Sequence, residues 1–201
     1  MNIKQEIEKE VGSDPLVYLN DITIDPASIK TIMINEVVPA YPENDFYGSE
    51  DATYLETTIP LFQKAGIEVT TVQEILDQGI YLTNAIKMPK TESAVDNASI
   101  EKSLPYLEKE LSLFPNVKVI MLMGDVAKKC FNRITKKATK KNAVPAISTY
   151  KIRKSEIFYQ DIRIMPSYIM TGKNILIEKS KVQMASEDLA TMFRIITKKT
   201  E

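Results

Sequence analysis

Short apolar runs alternate with helical stretches along this chain, and that alternation restricts the fold more than any other feature of the sequence. The strand-like runs occupy residues 31–38, 80–86 and 117–123, with further strand-like material in 156–164 around a tight turn at Gln160-Asp161. Continuous apolar runs of this length are typical of strands that are buried on both faces. Because strands that alternate with helices form βαβ units, we expect an α/β fold with a mostly parallel sheet covered on both sides.

The predicted helices lie around and between these strands. Apolar residues recur at spacings of three and four from Ile100 to Phe114, which is the stripe of an amphipathic helix. Ser99 is the expected cap of this helix and Asp125 of the next, while Pro105 is expected to kink the former or to mark its true start. We expect helices over the N-terminal residues to about Gly12 and over about 51–65, 99–114, 125–137 and 182–196.

The length and composition fit a single domain. The 201 residues predict one domain over 1–201, with residues 1–29 as an N-terminal extension that packs on the core. The first ten residues lack the apolar segment of a signal peptide, and no apolar run reaches the roughly 18 residues of a membrane-spanning helix. We therefore expect a soluble, cytoplasmic protein with no membrane partner.

The chain contains no histidine and a single cysteine, Cys130. A Ser-His-Asp triad, a Cys-His pair and an imidazole metal ligand are therefore excluded. An intramolecular disulfide, a zinc ribbon and a four-cysteine iron–sulfur site are excluded by the cysteine count. We expect no metal site, and any catalysis must rest on carboxylates, hydroxyls, amides or cations.

Positive charge is concentrated in one part of a chain whose net charge is only −1. Residues 128–154 contain ten of the 26 Lys and Arg residues and no Asp or Glu, which leaves 16 basic against 27 acidic residues elsewhere. One interpretation is a solvated helix face followed by a loop. The other is an edge that contacts phosphates of a nucleic acid.

Polar side chains lie near the ends of the predicted strands, at the edge of the sheet where parallel α/β proteins bind ligands. They are three carboxylates, two adjacent aromatic residues and one amide: Glu36, Glu43, Asp45, Phe46, Tyr47 and Asn84. The last strand leads into an apolar and basic loop at 166–173. Each of these residues has an ordinary alternative, since a carboxylate can be a solvated loop charge, an aromatic can pack in a loop and an amide can cap a turn.

Six segments are similar, in order and spacing, to motifs of the iron–sulfur uracil-DNA glycosylases. Segment 81–89 resembles their Thr-Asn strand followed by Lys-Cys-Arg-Pro, and Phe46-Tyr47-Gly48 resembles their Phe-Val-Gly. The other four are Asn35-Glu36-Val37-Val38-Pro39 (their Gly-Glu-x-Pro-Gly), Leu104-Pro105-Tyr106-Leu107 (their Pro-Tyr-Leu helix), 119–127 (their strand-Gly-helix unit) and Met165-Pro166-Ser167 (their His-Pro-Ser). The resemblance spans about residues 30–196 and implies a three-layer α/β/α fold around a four-stranded parallel sheet.

This resemblance implies an enzyme that flips a nucleotide out of DNA and cleaves its N-glycosidic bond. Asn84 stands where the family has the amide that matches the N3–H donor and O4 acceptor of uracil. Phe46 stands at the family's stacking aromatic, with Tyr47 as the second choice. Stacking on such a ring is worth roughly 1–3 kcal/mol.

The carboxylates are the expected catalytic groups, because a carboxylate positions water and stabilises the cationic sugar. The candidates are Glu43, Asp45 and Glu36. Ser167 and Met165 are expected to contact the substrate, but Met165 replaces the histidine of the motif and a thioether donates no hydrogen bond. Losing such a donor slows catalysis by about 100- to 1,000-fold.

The expected DNA contacts come from the loop after the last strand and from the basic window. Apolar and aromatic side chains at 168–170 are expected to enter the vacated base stack. The full set of expected DNA contacts is Pro166, Tyr168, Ile169, Met170, Lys173, Lys140, Lys141 and Arg153.

The cysteines that bind the family's cluster are missing: Met88 stands at one such position and Cys130 lies elsewhere. We therefore expect no iron–sulfur cluster and no other cofactor. Three hypotheses stay open: a DNA glycosylase of weakened or altered specificity, a noncatalytic binder of nucleic acid or a nucleobase, and a different hydrolase or interaction protein that uses the same cleft. The sequence predicts neither the oligomeric state nor which base is recognised.

Overall fold

A computed structural model describes residues 1–198 of the chain. Within these residues five strands form one sheet in the order β2-β1-β3-β5-β4. The strands are β1 Thr31–Val37, β2 Ile80–Ile86, β3 Val119–Met123, β4 Ile157–Tyr159 and β5 Ile162–Ser167. The predicted α/β fold with a mostly parallel sheet is thus confirmed.

The sheet differs from the expected four-stranded one by a fifth strand at its edge. β2, β1, β3 and β5 are mutually parallel, as predicted, and β4 pairs antiparallel with β5. The reversal occurs at Gln160 and Asp161, whose φ angles of 49° and 64° form a tight hairpin turn. The turn itself was predicted, but the expected sheet did not count its first arm as a strand.

Eight helices accompany the sheet in the described residues. They are α1 Ile3–Val11, α2 Thr53–Lys64, α3 Val72–Asp77, α4 Asn97–Ser112, α5 Asp125–Thr139, α6 Thr149–Ile152, α7 Asn174–Ile177 and α8 Lys179–Thr197, with short 3-10 helices at Pro26–Ser28 and Pro42–Asn44. α4 is capped by Asp96 instead of Ser99, because the Asp96 carboxylate accepts a hydrogen bond from the Ser99 N–H at 2.7 Å. Pro105 lies inside this helix. The short helices α3, α6 and α7 were not predicted.

Two apolar layers enclose the sheet. One face packs against α1, α4 and α5, and the other packs mainly against α2, α3 and α8. Successive strand residues alternate between them: Ile120 and Leu122 face the first layer, while Met121 and Met123 face the second. The N-terminal helix is part of the first layer, since Ile3 is fully buried there.

A buried polar group, which we name the ion-pair cluster, lies between β2 and α4. It consists of Lys87, Glu110, Tyr81, Thr83 and Asn20. The Lys87 ammonium pairs with Glu110, whose carboxylate also accepts hydrogen bonds from the hydroxyls of Tyr81 at 2.6 Å and Thr83 at 2.8 Å. Asn20 donates to the Tyr81 hydroxyl at 2.8 Å. These contacts hold β2 and α4 together and tie them to the N-terminal segment.

None of the helices within residues 1–198 combines the length and the apolar character that crossing a bilayer requires.

Candidate functional site

A cavity of about 770 Å³ opens at the carboxyl ends of β1, β3 and β5. We name it the strand-end cavity. Its wall includes residues from the end of β1, the start of α5, the end of β5 and the loop that follows it. Its volume falls within the roughly 300–1,000 Å³ of small-molecule sites, and its place in the sheet is the one where such folds bind ligands.

Glu36 reaches from the end of β1 to the start of α5. Its Oε2 accepts a hydrogen bond from the Val126 N–H at 2.7 Å, which places a carboxylate at the positive end of the helix. Gly124 makes this approach possible, because a Cβ there would lie 2.7 Å from both Glu36 Oε2 and Ile169 Cγ1, and the Gly124 φ of 101° favours glycine. Asp125, the expected cap, makes no such hydrogen bond, and Glu36 satisfies the helix end instead.

The electrostatic environment of Glu36 opposes its ionisation in part. Burial raises the pKa of this half-buried carboxyl, and Asp125 raises it further, whereas the Val126 N–H and Lys90 lower it. Within residues 1–198, Glu36 Oε1 accepts no hydrogen bond. The cavity therefore contains a carboxylate with one oxygen available to a ligand or to water.

Asp45 and Asn84 form a closed pair behind the cavity wall. The Asn84 Nδ2 donates to Asp45 Oδ1 at 2.9 Å and to Oδ2 at 3.0 Å, and the Phe46 N–H donates to Asp45 Oδ1 at 2.9 Å. Asp45 and Asn84 are 1% and 2% exposed, and neither lines the cavity. Burial raises the pKa of Asp45, against the hydrogen bond from Asn84. The loop after β1 and the end of β2 are close together, as predicted, but both polar atoms of the expected base-reading amide are hydrogen-bonded to protein groups.

Asn35 connects this pair to the cavity. Its Nδ2 donates to Asn84 Oδ1 at 2.9 Å, and its Oδ1 accepts from the Thr171 hydroxyl at 3.2 Å. Both Asn35 and Thr171 line the cavity. Asp45, Asn84, Asn35 and Thr171 thus form a continuous chain of hydrogen bonds, which we name the amide relay.

The two aromatic candidates belong to the core. Phe46 is 1% exposed and packs against the Tyr54 ring at a centroid distance of 5.4 Å. Tyr47 stacks on Tyr81 at 6.0 Å, and its hydroxyl accepts from the Leu82 N–H at the free edge of β2. Neither ring lines the cavity, and the aromatic residues in its wall are Tyr54, Tyr150 and Tyr168.

Glu43, the third candidate carboxylate, is exposed to solvent. It lies in the short helix Pro42–Asn44 and is absent from the cavity wall. Of the three carboxylates named from the sequence, only Glu36 lines the cavity.

The candidates on and after β5 divide into buried and accessible residues. Met165 and Met170 are 2% and 0% exposed within the second apolar layer, so neither can act as an exposed substrate or DNA contact without rearrangement. Ser167 lines the cavity, but its hydroxyl donates to Asp188 at 2.6 Å. Pro166 is also buried, paired with Leu122 of β3. Three candidates do border the cavity: Tyr168, Ile169 and Lys173.

The three candidates from the basic window 128–154 do not line the cavity. Arg153 is 6% exposed, with Nη2 3.0 Å from carboxylate oxygens of both Glu187 and Asp188, so it is a buried ion-pair partner. Lys140 and Lys141 are exposed at the C-terminal end of α5. A helix of this length places them roughly 20 Å from the cavity at its other end.

Sequence reasoning missed two lysines that border the cavity. Lys90 follows β2 by four residues, and Lys181 lies in α8 with its Nζ 5.6 Å from the centre of the Tyr168 ring. Lys90 could have been predicted, because ligands bind at the carboxyl ends of parallel strands and Lys90 stands just beyond the motif at 81–89. Nothing in the sequence predicted Lys181, because α8 reaches the cavity only through the tertiary fold.

The described residues offer no evident metal ligands. Among residues 1–198, no three His, Cys, Asp or Glu side chains are grouped so as to hold a metal ion. Burial raises the pKa of the Cys130 thiol to about 12, which makes it a poor nucleophile and ligand.

Comparison with known protein families identifies the superfamily of the chain. A family model described as the Uracil DNA glycosylase superfamily matches residues 36–186, about three quarters of the chain. The chain belongs to this superfamily. The matched region begins at Glu36 and contains β2, β3, β5 and most of the cavity wall. No curated protein sequence matches the chain.

Proposed function

We propose that this protein binds a nucleobase extruded from DNA in the strand-end cavity and hydrolyses its N-glycosidic bond. The observation that carries the proposal is Glu36, a half-buried carboxylate with one unengaged oxygen at the strand ends of a uracil-DNA-glycosylase-superfamily fold. Proteins that act on a base in DNA must take it out of the stack, and a cavity of this volume accommodates one nucleotide.

Glu36 is the proposed catalytic residue. As the glycosidic bond breaks, positive charge develops on the sugar and negative charge on the departing base. The Glu36 carboxylate stabilises the cationic sugar and holds the attacking water through Oε1, while Oε2 stays bound to the Val126 N–H. Fixed charge placed where charge develops is commonly the largest catalytic contribution.

The rim of the cavity supports binding of the DNA strand. Lys90, Lys173 and Lys181 place positive charge there for phosphates. Tyr54 and Tyr168 offer aromatic faces for the base. Ile169, 39% exposed at the rim, is the apolar side chain available to fill the vacated stack.

Slow catalysis is part of the proposal. Ile169 at the rim donates no hydrogen bond, and the Ser167 hydroxyl is bound to Asp188. Met165, at the position of the motif's histidine, supplies no donor either, so the departing base gains little stabilisation from these three side chains. We expect turnover that is weaker by about 100-fold or more than in a site with such a donor.

Kinship with the iron–sulfur branch of the superfamily remains part of the proposal. It rests on the motifs at 81–89 and 104–107, and we propose that this chain carries no cluster because Met88 replaces a ligand cysteine. A visible absorbance band that disappears on iron removal from the purified protein would contradict this.

A noncatalytic nucleic-acid or nucleobase binder on the same fold is the second candidate. It is favoured by one observation, the full engagement of the Asn84 amide by Asp45 and Asn35. On this alternative the cavity holds a base without cleaving it.

The test is base release from oligonucleotides that contain one deoxyuridine, deoxyinosine, deoxyxanthosine or alkylated base, with wild type and Glu36→Gln. Gln preserves the hydrogen bond from Val126, so the variant is expected to fold. We expect slow release by wild type and release about 100- to 1,000-fold slower by Glu36→Gln, with binding retained. Salt-dependent, base-dependent binding without release supports the second candidate, and absence of both activities refutes the proposed function.

A further inference from the structure

We propose that Asn35 determines which bases the strand-end cavity accepts, because its side chain stands in front of Asn84 and makes the hydrogen bond that a bound base would otherwise make. This inference rests on the proposed function in so far as the ligand is a nucleobase. It assigns recognition to Asn35 and Thr171 instead of Asn84.

The position of Asn35 follows from strand register. Asn35 of β1 and Asn84 of β2 are direct partners in neighbouring parallel strands, so their side chains extend from the same face of the sheet. The Asn35 Nδ2 lies 2.9 Å from Asn84 Oδ1. Asn35 is itself only 1% exposed, but it lines the cavity and Asn84 does not, so the Asn35 amide is the nearer of the two to a ligand.

The direction of the amide relay is fixed from its inner end. Asp45 accepts hydrogen bonds from both the Asn84 Nδ2 and the Phe46 N–H, so the Asn84 amide turns its Oδ1 toward Asn35. Asn35 must then turn its own Nδ2 toward Asn84 and its Oδ1 toward Thr171. The Thr171 hydroxyl proton is thereby committed to Asn35.

This direction decides what the cavity wall presents to a ligand. The Thr171 oxygen retains lone pairs and acts as an acceptor, and Asn35 Nδ2 retains one N–H that is not used by Asn84. The wall therefore matches a base edge with one acceptor beside one donor. Removing the Asn35 side chain replaces this pair with open space and the Asn84 Oδ1 acceptor, which changes the preferred edge.

The experiment measures dissociation constants for single-stranded oligonucleotides of one sequence with a central deoxyuridine, deoxyinosine, deoxycytidine or abasic analogue. Wild type, Asn35→Ala and Thr171→Val are compared, with Thr171→Ser as the matched control that keeps the hydroxyl. Thr171 is only half-buried, so its variants are expected to fold even if Asn35→Ala does not.

We expect wild type to bind at least one base more tightly than the abasic analogue. Thr171→Val should reduce that preference by about tenfold, the effect of one hydrogen bond, while Thr171→Ser retains it. Asn35→Ala should change the order of preference among the bases. If Asn35→Ala is not folded, the Thr171 pair alone decides.

The experiment distinguishes failure of the proposed function from failure of the assignment of recognition to Asn35 and Thr171. If wild type binds the abasic analogue as tightly as every base, the proposed function itself fails. If wild type shows a base preference that Thr171→Val leaves unchanged, or whose order Asn35→Ala leaves unchanged, the assignment of recognition to Asn35 and Thr171 is wrong while the proposed function stands.

Discussion

The ion-pair cluster and the strand-end cavity are both built from polar side chains at one sheet, yet they differ in what their polar atoms contact. In the ion-pair cluster, Lys87 and Glu110 are 3% and 0% exposed in their side chains, and their charges face each other. In the cavity, Glu36 keeps one oxygen without a protein partner. The polar groups of the ion-pair cluster bind one another and stabilise the fold, whereas the cavity leaves one carboxylate oxygen available to a ligand.

Asp45 and Glu36 show that burial alone does not identify a functional carboxylate. Burial raises the pKa of both. Asp45 accepts hydrogen bonds on both oxygens from protein groups, and it lies behind the wall. Glu36 combines partial burial with an open position at the cavity, and this combination is what a reacting group requires.

The largest expected effect is the loss of the buried cation. Lys87→Met leaves the Glu110 charge buried without its partner, and we expect a loss of about 3–5 kcal/mol in the free energy of unfolding, measured by chemical denaturation. The double variant Lys87→Met/Glu110→Leu should recover part of this loss, because no unpaired charge remains. A single variant within 1 kcal/mol of wild type would mean that the cluster is not a stabilising unit.

The next effect is at the contact between Gly124 and Glu36. Gly124→Ala introduces a Cβ 2.7 Å from the Glu36 carboxylate and forces an unfavourable backbone angle. We expect a loss of about 1–3 kcal/mol in stability together with slower base release. The control is Gly66→Ala. Gly66 has a positive φ of 84°, no atom within 4 Å of an added Cβ and no place in the cavity wall, so this change should cost stability without displacing Glu36. Equal base release by the two variants would contradict the role given to Gly124.

A smaller effect concerns the pH dependence of stability at Asp45. Because burial raises its pKa, the folded chain holds the proton of Asp45 at a pH where the unfolded chain has released it. The stability contributed by protonated Asp45 is therefore lost as pH rises from the usual carboxyl range through the raised pKa. The amide in Asp45→Asn does not titrate, so the unfolding free energy of this variant should increase relative to that of wild type as pH rises. A pH-independent difference between the two would contradict the raised pKa.

The smallest expected effect is on oligonucleotide binding, and it distinguishes the lysines at the cavity from those at the far end of α5. Lys90→Gln and Lys173→Gln should each reduce the salt dependence of oligonucleotide binding, with the logarithmic slope falling by about 0.7–0.9 if the lysine contacts one phosphate. Lys140→Gln/Lys141→Gln, at the far end of α5, should leave the preference for a base over an abasic analogue unchanged. Loss of that preference in the Lys140/Lys141 variant would place the binding site elsewhere.

Sequence reasoning recovered the four parallel strands because each contains a local apolar run. The limits of β2 at residues 80–86 were predicted without error, and β3 differs only at its start. The cavity was found in part by the same reasoning, since Glu36 lies at the end of β1 and Tyr168 follows β5 directly. The N-terminal caps of α4 and α5 were predicted from residues at the helix starts. The N–H of Val126 at the start of α5 is instead bound by Glu36, 90 residues away in the chain.

Nothing in the sequence around Asn84 predicts that its amide is hydrogen-bonded to protein groups. Its two partners are Asp45 and Asn35, which are 39 and 49 residues away in the chain. A strand-end position predicts that an amide lies near the ligand edge, but the exposure of its hydrogen-bonding atoms depends on side chains brought from other segments. The same reason explains why Phe46, although correctly placed in the loop after β1, belongs to the core.

The central claim is that Glu36, and not Asp45, acts on the bond that is broken. Single-turnover base release by Glu36→Gln and Asp45→Asn, measured beside wild type on the best oligonucleotide substrate, tests it most directly. We predict that Glu36→Gln slows release by about 100-fold or more, whereas Asp45→Asn, which preserves the shape of the amide relay, slows it by less than tenfold. Equal rates for Glu36→Gln and wild type, or a larger loss in Asp45→Asn, would contradict the account.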